Sequence, residues 1–229
     1  MNLSELVLIA RDWLDDENEP YLWGDDKLKR WANEAQEEAC LRTRFLTDNA
    51  TTEVCNITLV DGQAVYPLHP SIVVVRRFEY RQAGASLPVV MDRTTTAWLD
   101  SHGCGEWTGL TGRPSRVAQD LRARNIRLDR IPTADDLGTI NLNVWRRPLG
   151  SEQLEGGNDV PVIDSAFHIQ LAHWICYRAF LKKDDEAYDG RRAADHLAQF
   201  EAAFGHKPTL QRLIELATDD SGESEPYWY

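Results

Sequence analysis

Ile140-Asn141-Leu142-Asn143-Val144 determines how the middle of the chain folds. Apolar and polar side chains alternate strictly along this stretch, which is the period of a β-strand with one buried face. Further strands are predicted at four places: Asn56–Leu59, Ile72–Tyr80, Pro88–Met91 and Ile126–Leu128. Gly, Pro and polar residues separate them at short intervals, and Asp61-Gly62 is a hairpin-type turn. Residues 52–148 are therefore predicted to form an antiparallel β domain.

Helical periodicity lies on both sides of this β domain. Helices are predicted over Leu3–Leu14, Gly24–Phe45, a stretch that begins at Asp164 or Ser165, residues 185–204 and Thr209–Ala217. The acidic run Asp15–Pro20 between the first two is predicted to be a solvated turn, since it lacks the glycine and distal glutamate of a calcium loop. The chain is thus predicted to be α+β, a helical bundle with an inserted antiparallel β domain.

The predicted boundaries divide the chain into four parts. Residues 1–51 form an N-terminal helical hairpin, 52–148 the inserted β domain, 159–217 the C-terminal helices that complete the bundle, and 218–229 an acidic tail with an aromatic end. The tail has the composition of a solvated segment until Pro226, Tyr227, Trp228 and Tyr229. Because Trp and Tyr bury much area at low entropic cost, these last residues are a candidate docking anchor, the alternative being a terminus that contacts its own domain.

The charge is unevenly distributed over the 229 residues, whose formal net charge is −12. Residues 12–38 hold ten acidic and three basic side chains, whereas residues 72–147 hold eight acidic and twelve basic ones, all arginine. Arginine's planar guanidinium suits interfaces, although codon bias toward arginine in a GC-rich genome would give the same excess. An acidic total disfavours a protein that holds nucleic acid by its overall field. Membrane association is not predicted either, because no apolar run reaches the ~18–20 residues of a membrane span.

The sequence predicts no catalytic or metal centre. His168, His173 and Cys176 share a predicted helix, but the two histidines are five residues apart and therefore lie about 140° apart around the helix axis. The four cysteines lack CxxC spacing and are predicted to be reduced and buried. The glycine-rich stretch before Arg113 matches neither a P-loop nor a dinucleotide-binding fingerprint. No cofactor is therefore expected.

Short motifs follow one another in an order that resembles one known family. The first helices carry Arg11-Asp12-Trp13-Leu14, Trp23-Gly24-Asp25-Asp26-Lys27-Leu28 and Asn33-Glu34-Ala35-Gln36. The β segment carries Gly112-Arg113-Pro114, Leu128-Asp129-Arg130-Ile131-Pro132 and Val144-Trp145-Arg146-Arg147-Pro148. The last helices carry Val160-Pro161-Val162-Ile163-Asp164 and Asp184-Asp185-Glu186. Over residues 3–205, these motifs resemble the head–tail adaptor (connector) proteins of tailed bacteriophages, especially those of short-tailed phages.

The resemblance implies a structural virion protein of the neck, made in the host bacterial cytoplasm, and not an enzyme. Such adaptors form a ring, usually of twelve copies, that docks under the portal protein and offers a platform to the nozzle or another distal tail component. Genomic DNA passes through the lumen without sequence-specific binding. The resemblance and the charge distribution together predict a portal contact by Pro226 and the three terminal aromatic residues. They also predict an inter-subunit or distal-tail contact by five arginines: Arg113, Arg116, Arg122, Arg124 and Arg127.

Two other functions stay open at this point. A soluble enzyme of unknown chemistry would show a pocket with titratable groups of shifted pKa. A DNA-binding module could use the arginine-rich segment 113–130, and a steep dependence of duplex binding on salt would identify it.

Overall fold

A computed structural model describes residues 1–102, 106–120, 122–182 and 188–218 of the chain. The α-helices are α1 (Leu3–Leu14), α2 (Asp25–Thr43), α3 (Thr52–Cys55), α4 (Thr96–His102), α5 (Leu171–Phe180), α6 (Gly190–Phe204) and α7 (Leu210–Thr218). The strands are β1 (Thr47–Asp48), β2 (Asn56–Thr58), β3 (Val65–Pro67), β4 (Ile72–Gln82), β5 (Val89–Thr94), β6 (Arg116–Asp120), β7 (Asn125–Leu128) and β8 (Gly138–Arg146). Four short 3-10 helices cover Glu106–Gly109, Ala134–Asp136, Gly150–Glu152 and Ser165–Gln170. The chain is therefore α+β, as the sequence predicts.

The chain divides into two compact units. The first comprises Met1–Leu46 and Arg146–Pro208, and the second comprises Thr47–Trp145 and the described residues from Thr209 onward. The first holds α1, α2, α5 and α6, while the second holds the sheet and α7. The last helix thus groups with the sheet, whereas the sequence-based division places it among the C-terminal helices.

Local signals in the sequence determine where the helices of the first unit begin and end. Asn2 caps α1 in a capping box, in which its side chain accepts from the backbone N–H of Glu5 and the Glu5 carboxylate accepts from that of Asn2, both at 2.9 Å. Asp189 caps α6 by accepting from the N–H groups of Arg191 and Arg192. The helix predicted from Asp164 begins instead as a 3-10 helix, and α5 follows from Leu171.

The core of the first unit lies between apolar helix faces that the periodicity predicts. α5 contacts α1, α2 and α6, and most of its side chains are buried. The ring of Phe200 packs 4.9 Å from that of Trp174 and 4.6 Å from that of Phe204. The apolar side chains along one face of α2 are buried as well: Leu28, Trp31, Ala32, Ala35 and Ala39.

The second unit is built on a curled sheet of eight strands. Seven follow the order β1-β8-β4-β5-β6-β7-β3, and β2 also pairs with β8. The prediction of a wholly antiparallel domain is wrong in one place, because β5 and β6 run parallel, with Asp92 opposite Arg116. Parallel neighbours need a crossover longer than a hairpin turn. The chain between Thr94 and Arg116 supplies that crossover, and it includes α4.

The alternation in β8 is as the sequence predicts. Ile140, Leu142 and Val144 are buried, while Asn141 and Asn143 are partly exposed. The core beneath them includes Phe78 and Tyr80 of β4 and Ile126 of β7. The last helix, α7, contacts β4 and buries Ala217.

Candidate interaction surfaces

Arg113 and Arg130 both line an open hollow in the second unit, which we call the arginine hollow. Its volume is about 590 Å³, and its other lining residues are Tyr80, Val89, Val90, Met91, Asp92, Pro114 and Ser115. The guanidinium of Arg113 lies 5.3 Å from the ring centre of Tyr80, a cation–π distance. Burial raises the pKa of Tyr80, and the positive charge of Arg113 opposes the rise. Within the described residues, neither arginine has an ion-pair partner.

A buried carboxylate fixes the backbone beside this hollow. Asp129 follows β7, and its Oδ1 accepts hydrogen bonds from the N–H groups of Ser115, at 2.9 Å, and Arg116, at 3.0 Å. Its Oδ2 accepts from the hydroxyl of Ser115 at 2.8 Å. Because these three bonds tie the start of β6 to the end of β7, the segment that carries Arg113 is held in place before any partner binds.

One side of β5 is an unpaired strand edge at the arginine hollow. β5 pairs with β4 over Val89–Met91, but its pairing with β6 begins only at Asp92. The N–H of Asp92 donates to the carbonyl of Ser115 on the β6 side. Backbone groups alternate along a strand, so the N–H and C=O of Val90 point to this same side, where no described strand pairs with them. The side chains of Val89 and Val90 are 50% and 53% exposed, which makes the edge apolar as well as unpaired.

The five arginines that the sequence groups together have different environments. Arg116 stacks over Trp98 at 5.1 Å, and its Nε lies 4.0 Å from a carboxylate oxygen of Asp92. Arg122 is exposed in the turn between β6 and β7. Arg124 is exposed, and its guanidinium donates to the carbonyls of Pro70 and Ile72 at the start of β4.

Arg127 is also engaged within the chain. Its guanidinium lies 4.7 Å from the ring centre of Trp107, and its Nε is buried without a hydrogen-bond partner. Of the five, Arg113 and Arg122 are exposed and have no ion-pair partner among the described residues, and Arg130, outside the predicted set, joins Arg113 at the hollow.

The acidic run between α1 and α2 is organised around an arginine that the sequence analysis did not single out. Arg11 is only 4% exposed, and its guanidinium contacts Asp16 Oδ2 at 2.7 Å, Asp25 Oδ1 at 2.6 Å and the carbonyl of Trp23 at 2.9 Å. Asp16 in turn accepts from the N–H groups of Leu22 and Trp23. The prediction of a solvated turn is therefore wrong for Asp16. The arginine on the apolar face of α1 could have predicted this burial, because a buried guanidinium requires a carboxylate partner.

The remaining side chains of this run point outward. We call residues 17–22 the acidic loop. Glu17 and Glu19 are exposed and have no ion-pair partner among the described residues, while Asp15 pairs with Arg192 at 3.2 Å. Tyr21 and Leu22 are 41% and 48% exposed, and the Tyr21 ring stacks 3.7 Å from the Arg11 guanidinium carbon. The loop is thus an anchored protrusion with two carboxylates and two apolar side chains on its surface.

A pair of histidines joins α5 and α6. His173 Nδ1 and His196 Nδ1 lie 3.0 Å apart, and Trp13 of α1 stacks on His173 at 4.5 Å between ring centres. Phe180 covers the His196 ring at 5.7 Å. Desolvation and the neighbouring His196 lower the pKa of His173 to about 4, and desolvation with the charge of Arg192 lowers that of His196. Both rings are therefore neutral at neutral pH and act as packed members of the helical core.

His168 and Cys176 have partners within the fold. Both nitrogens of His168 face backbone carbonyls, those of Met1 and Ile163. The Sγ of Cys176 is directed at the carbonyl of Ala10, and burial raises the pKa of Cys176 and of Cys40 to about 12. No group of three or more potential metal-ligating side chains was found over the ranges that the structure describes. Among the described helices, none combines the length and apolar character needed to cross a bilayer.

The predicted portal anchor, Pro226, Tyr227, Trp228 and Tyr229, lies outside the described residues. The last described helix, α7, ends at Thr218, the first residue of the predicted acidic tail.

Comparison with known proteins agrees with the resemblance of the sequence motifs. The model of one family, described as SU10 adaptor protein, matches residues 1–221. No curated protein gives a significant match. The family name indicates an adaptor protein of phages, which is a structural virion component and not an enzyme class. Since the match covers nearly all of the sequence, the chain belongs to the SU10 adaptor protein family.

Proposed function

We propose that this protein forms a ring between the portal vertex and the tail, joins the head to the tail and lets DNA pass through its lumen. The family match over residues 1–221 carries the proposal. The surfaces of the chain support it, because each copy carries an exposed acidic loop in its first unit and an arginine hollow in its second, and the arginines of the hollow have no ion-pair partner among the described residues. Contact between unlike faces of identical subunits is the kind that closes into a ring.

The decisive experiment is native mass spectrometry of the full-length protein, alone and mixed with a purified portal ring. We expect either assembly into a closed ring on the portal, twelve copies being the expected number, or a preformed ring that caps it. A stable small oligomer that ignores the portal would refute the adaptor function.

We propose that the portal contact is made by the C-terminal segment Thr209–Tyr229, with Pro226, Tyr227, Trp228 and Tyr229 as its anchor. The composition of the tail supports this contact, since three aromatic side chains at the end of an acidic segment can bury much area on a partner. Truncation after Gly222 should abolish portal binding and leave the circular dichroism spectrum unchanged. A matched variant of full length, with alanine at the three aromatic positions, should give the same loss. Normal attachment of both variants would overturn this assignment.

We further propose that the second unit contacts neighbouring subunits and the distal tail component, such as a nozzle. In the ring, Arg113, Arg116 and Arg122 would face carboxylates of the adjacent molecule. An acidic lumen would repel the phosphate backbone, so that DNA slides without sticking. Replacing lumen carboxylates with lysine should slow DNA ejection in a single-particle assay, and an unchanged ejection rate would contradict the electrostatic account.

The alternative of a DNA-binding module has a clear test. If the logarithm of the association constant for duplex DNA falls steeply with the logarithm of the salt concentration, the DNA-binding function is favoured. We expect no duplex binding at low salt, because Arg124 and Arg127 are engaged within the chain and the net charge is −12.

A further inference from the structure

The acidic loop and the arginine hollow have complementary surfaces. The loop presents Glu17 and Glu19, and the hollow presents Arg113 and Arg130. None of the four has an ion-pair partner among the residues that the structure describes. Two carboxylates and two guanidiniums that are unpaired within one chain can form two ion pairs between chains, and guanidinium and carboxylate suit each other in geometry as well as in charge.

The apolar parts of the two surfaces match as well. Tyr21 and Leu22 of the loop are 41% and 48% exposed, and Val89 and Val90 at the hollow are 50% and 53% exposed. Tyr21 and Leu22 follow Glu19 in the loop, and Val89 and Val90 line the hollow together with Arg113 and Arg130. Contact between the two pairs would remove apolar area from water on both molecules, which is the main favourable term in protein association.

Both surfaces are also ordered in advance. The buried Arg11–Asp16 ion pair holds the loop, and the Asp129 carboxylate holds the segment after Arg113. A contact between preformed surfaces costs less conformational entropy than one that must order a flexible segment. The hollow of about 590 Å³ equals the volume of roughly 20 water molecules in the liquid, so it has room for more than one side chain.

From these observations we infer that the acidic loop of one copy docks into the arginine hollow of the next copy. Glu17 and Glu19 pair with Arg113 and Arg130, and Tyr21 and Leu22 cover Val89 and Val90. The N–H and C=O of Val90 then bond to the backbone of the loop. The inference rests on the proposed ring and names its subunit contact, which is head-to-tail because each copy offers one loop and one hollow.

Charge reversal tests this contact. Arg113→Glu with Arg130→Glu gives a chain whose hollow and loop are both acidic, and Glu17→Arg with Glu19→Arg gives a chain whose hollow and loop are both basic. Each variant alone should need about tenfold or more protein for assembly on the portal ring, because two attractions become repulsions. The control Arg30→Glu with Arg191→Glu changes the same charge at two exposed residues that belong to neither surface and should assemble like the wild type.

The mixture of the two variants gives the sharpest result. The basic loop of one variant fits the acidic hollow of the other, and the acidic loop of the other fits the basic hollow of the first. Mixed in equal amounts, at a concentration where neither variant assembles alone, the two proteins should form rings that contain equal numbers of each, as native mass spectrometry can count. Circular dichroism of each variant shows whether it is folded before mixing.

The outcomes distinguish the contact from the proposed function. If the wild type and both variants form rings equally well, the loop-to-hollow contact is refuted while the adaptor function stands. If the folded variants fail to assemble and their mixture fails too, the contact is also refuted. If the wild type itself forms no ring with the portal, the proposed function fails first, and the contact fails with it.

Discussion

Lowering the pH from about 8 to about 5 should destabilise the first unit through its histidine pair. In the folded chain the pKa of His173 is lowered from 6.5 to about 4, because the ring is desolvated and faces His196. The pKa of His196 is lowered too, by burial and by Arg192, with the Asp195 carboxylate opposing the shift. In the unfolded chain both rings are in water and bind protons below pH ~6.5. Unfolding therefore takes up protons, and stability falls as the pH drops from about 6.5 toward 4.

The size of the effect follows from the shift of His173. A change from 6.5 to about 4 corresponds to roughly 3 kcal/mol once the pH is below both values. At pH 5 the unfolded ring is almost fully protonated and the folded ring mostly neutral, which gives about 2 kcal/mol. Both rings are partly exposed, and water screens part of this energy. We therefore expect the free energy of unfolding to fall by about 1–2 kcal/mol between pH 8 and pH 5.

Urea unfolding followed by far-ultraviolet circular dichroism measures this difference. His173→Gln removes one titrating ring, so its free energy of unfolding should change much less with pH than that of the wild type. The matched control is His206→Gln, since the side chain of His206 is 88% exposed and outside the packed pair. It should show the same pH dependence as the wild type.

Two results would refute the reasoning. A wild-type free energy of unfolding that is equal at both pH values within about 0.5 kcal/mol would mean that the folded rings are protonated without cost. A pH dependence in His173→Gln as steep as that of the wild type would mean that other groups cause it.

Three substitutions test the anchors of the fold by thermal or urea unfolding. Arg11→Met leaves the buried carboxylate of Asp16 without its cation and should cost about 3–5 kcal/mol; a loss below about 1 kcal/mol would contradict the anchoring role. Gly138→Ala should cost about 1–3 kcal/mol, because a Cβ there collides with the backbone of Arg81, whereas Gly109→Ala meets open space and should be nearly neutral. Asp189→Ala removes the N-cap of α6 and should cost about 0.5–2 kcal/mol, most of which Asp189→Ser should restore.

Much of the fold could be predicted from local patterns. The bounds of α1 are as predicted, and α2, β4 and β8 lie within a few residues of their predicted bounds, because each has a long period of 3.6 or 2 and a clear cap or turn. The parallel pairing of β5 and β6 could not be predicted in this way. Periodicity gives the faces of a strand but not its neighbour, and the parallel pair depends on the crossover between them.

The candidate surfaces were harder to predict than the fold, and Arg127 shows the reason. In the sequence it is one of several arginines between residues 113 and 130. Its position opposite Ala118 and Val65 is set by strand register, and this register places its guanidinium against Trp107. Arg124 is engaged for a similar reason, since the turn that holds it lies beside the start of β4. A count of arginines therefore overestimates the surface available to a partner.

The acidic residues near α1 show a second error of counting, because the number of carboxylates does not tell which of them are buried and structural. Asp16 is buried and holds the loop through Arg11, while Glu17, its neighbour, is exposed and unpaired in the described chain. Substitution of Asp16 should therefore change stability, whereas substitution of Glu17 should change assembly alone. The two effects differ because the two carboxylates have different solvent exposure. Removing one partner of a buried ion pair leaves a desolvated charge without compensation, whereas removing an exposed carboxylate leaves no buried charge unpaired. Under the proposed loop-to-hollow contact, the two kinds of acidic residue act side by side: Asp16 holds the backbone of the loop, and Glu17 faces the next subunit.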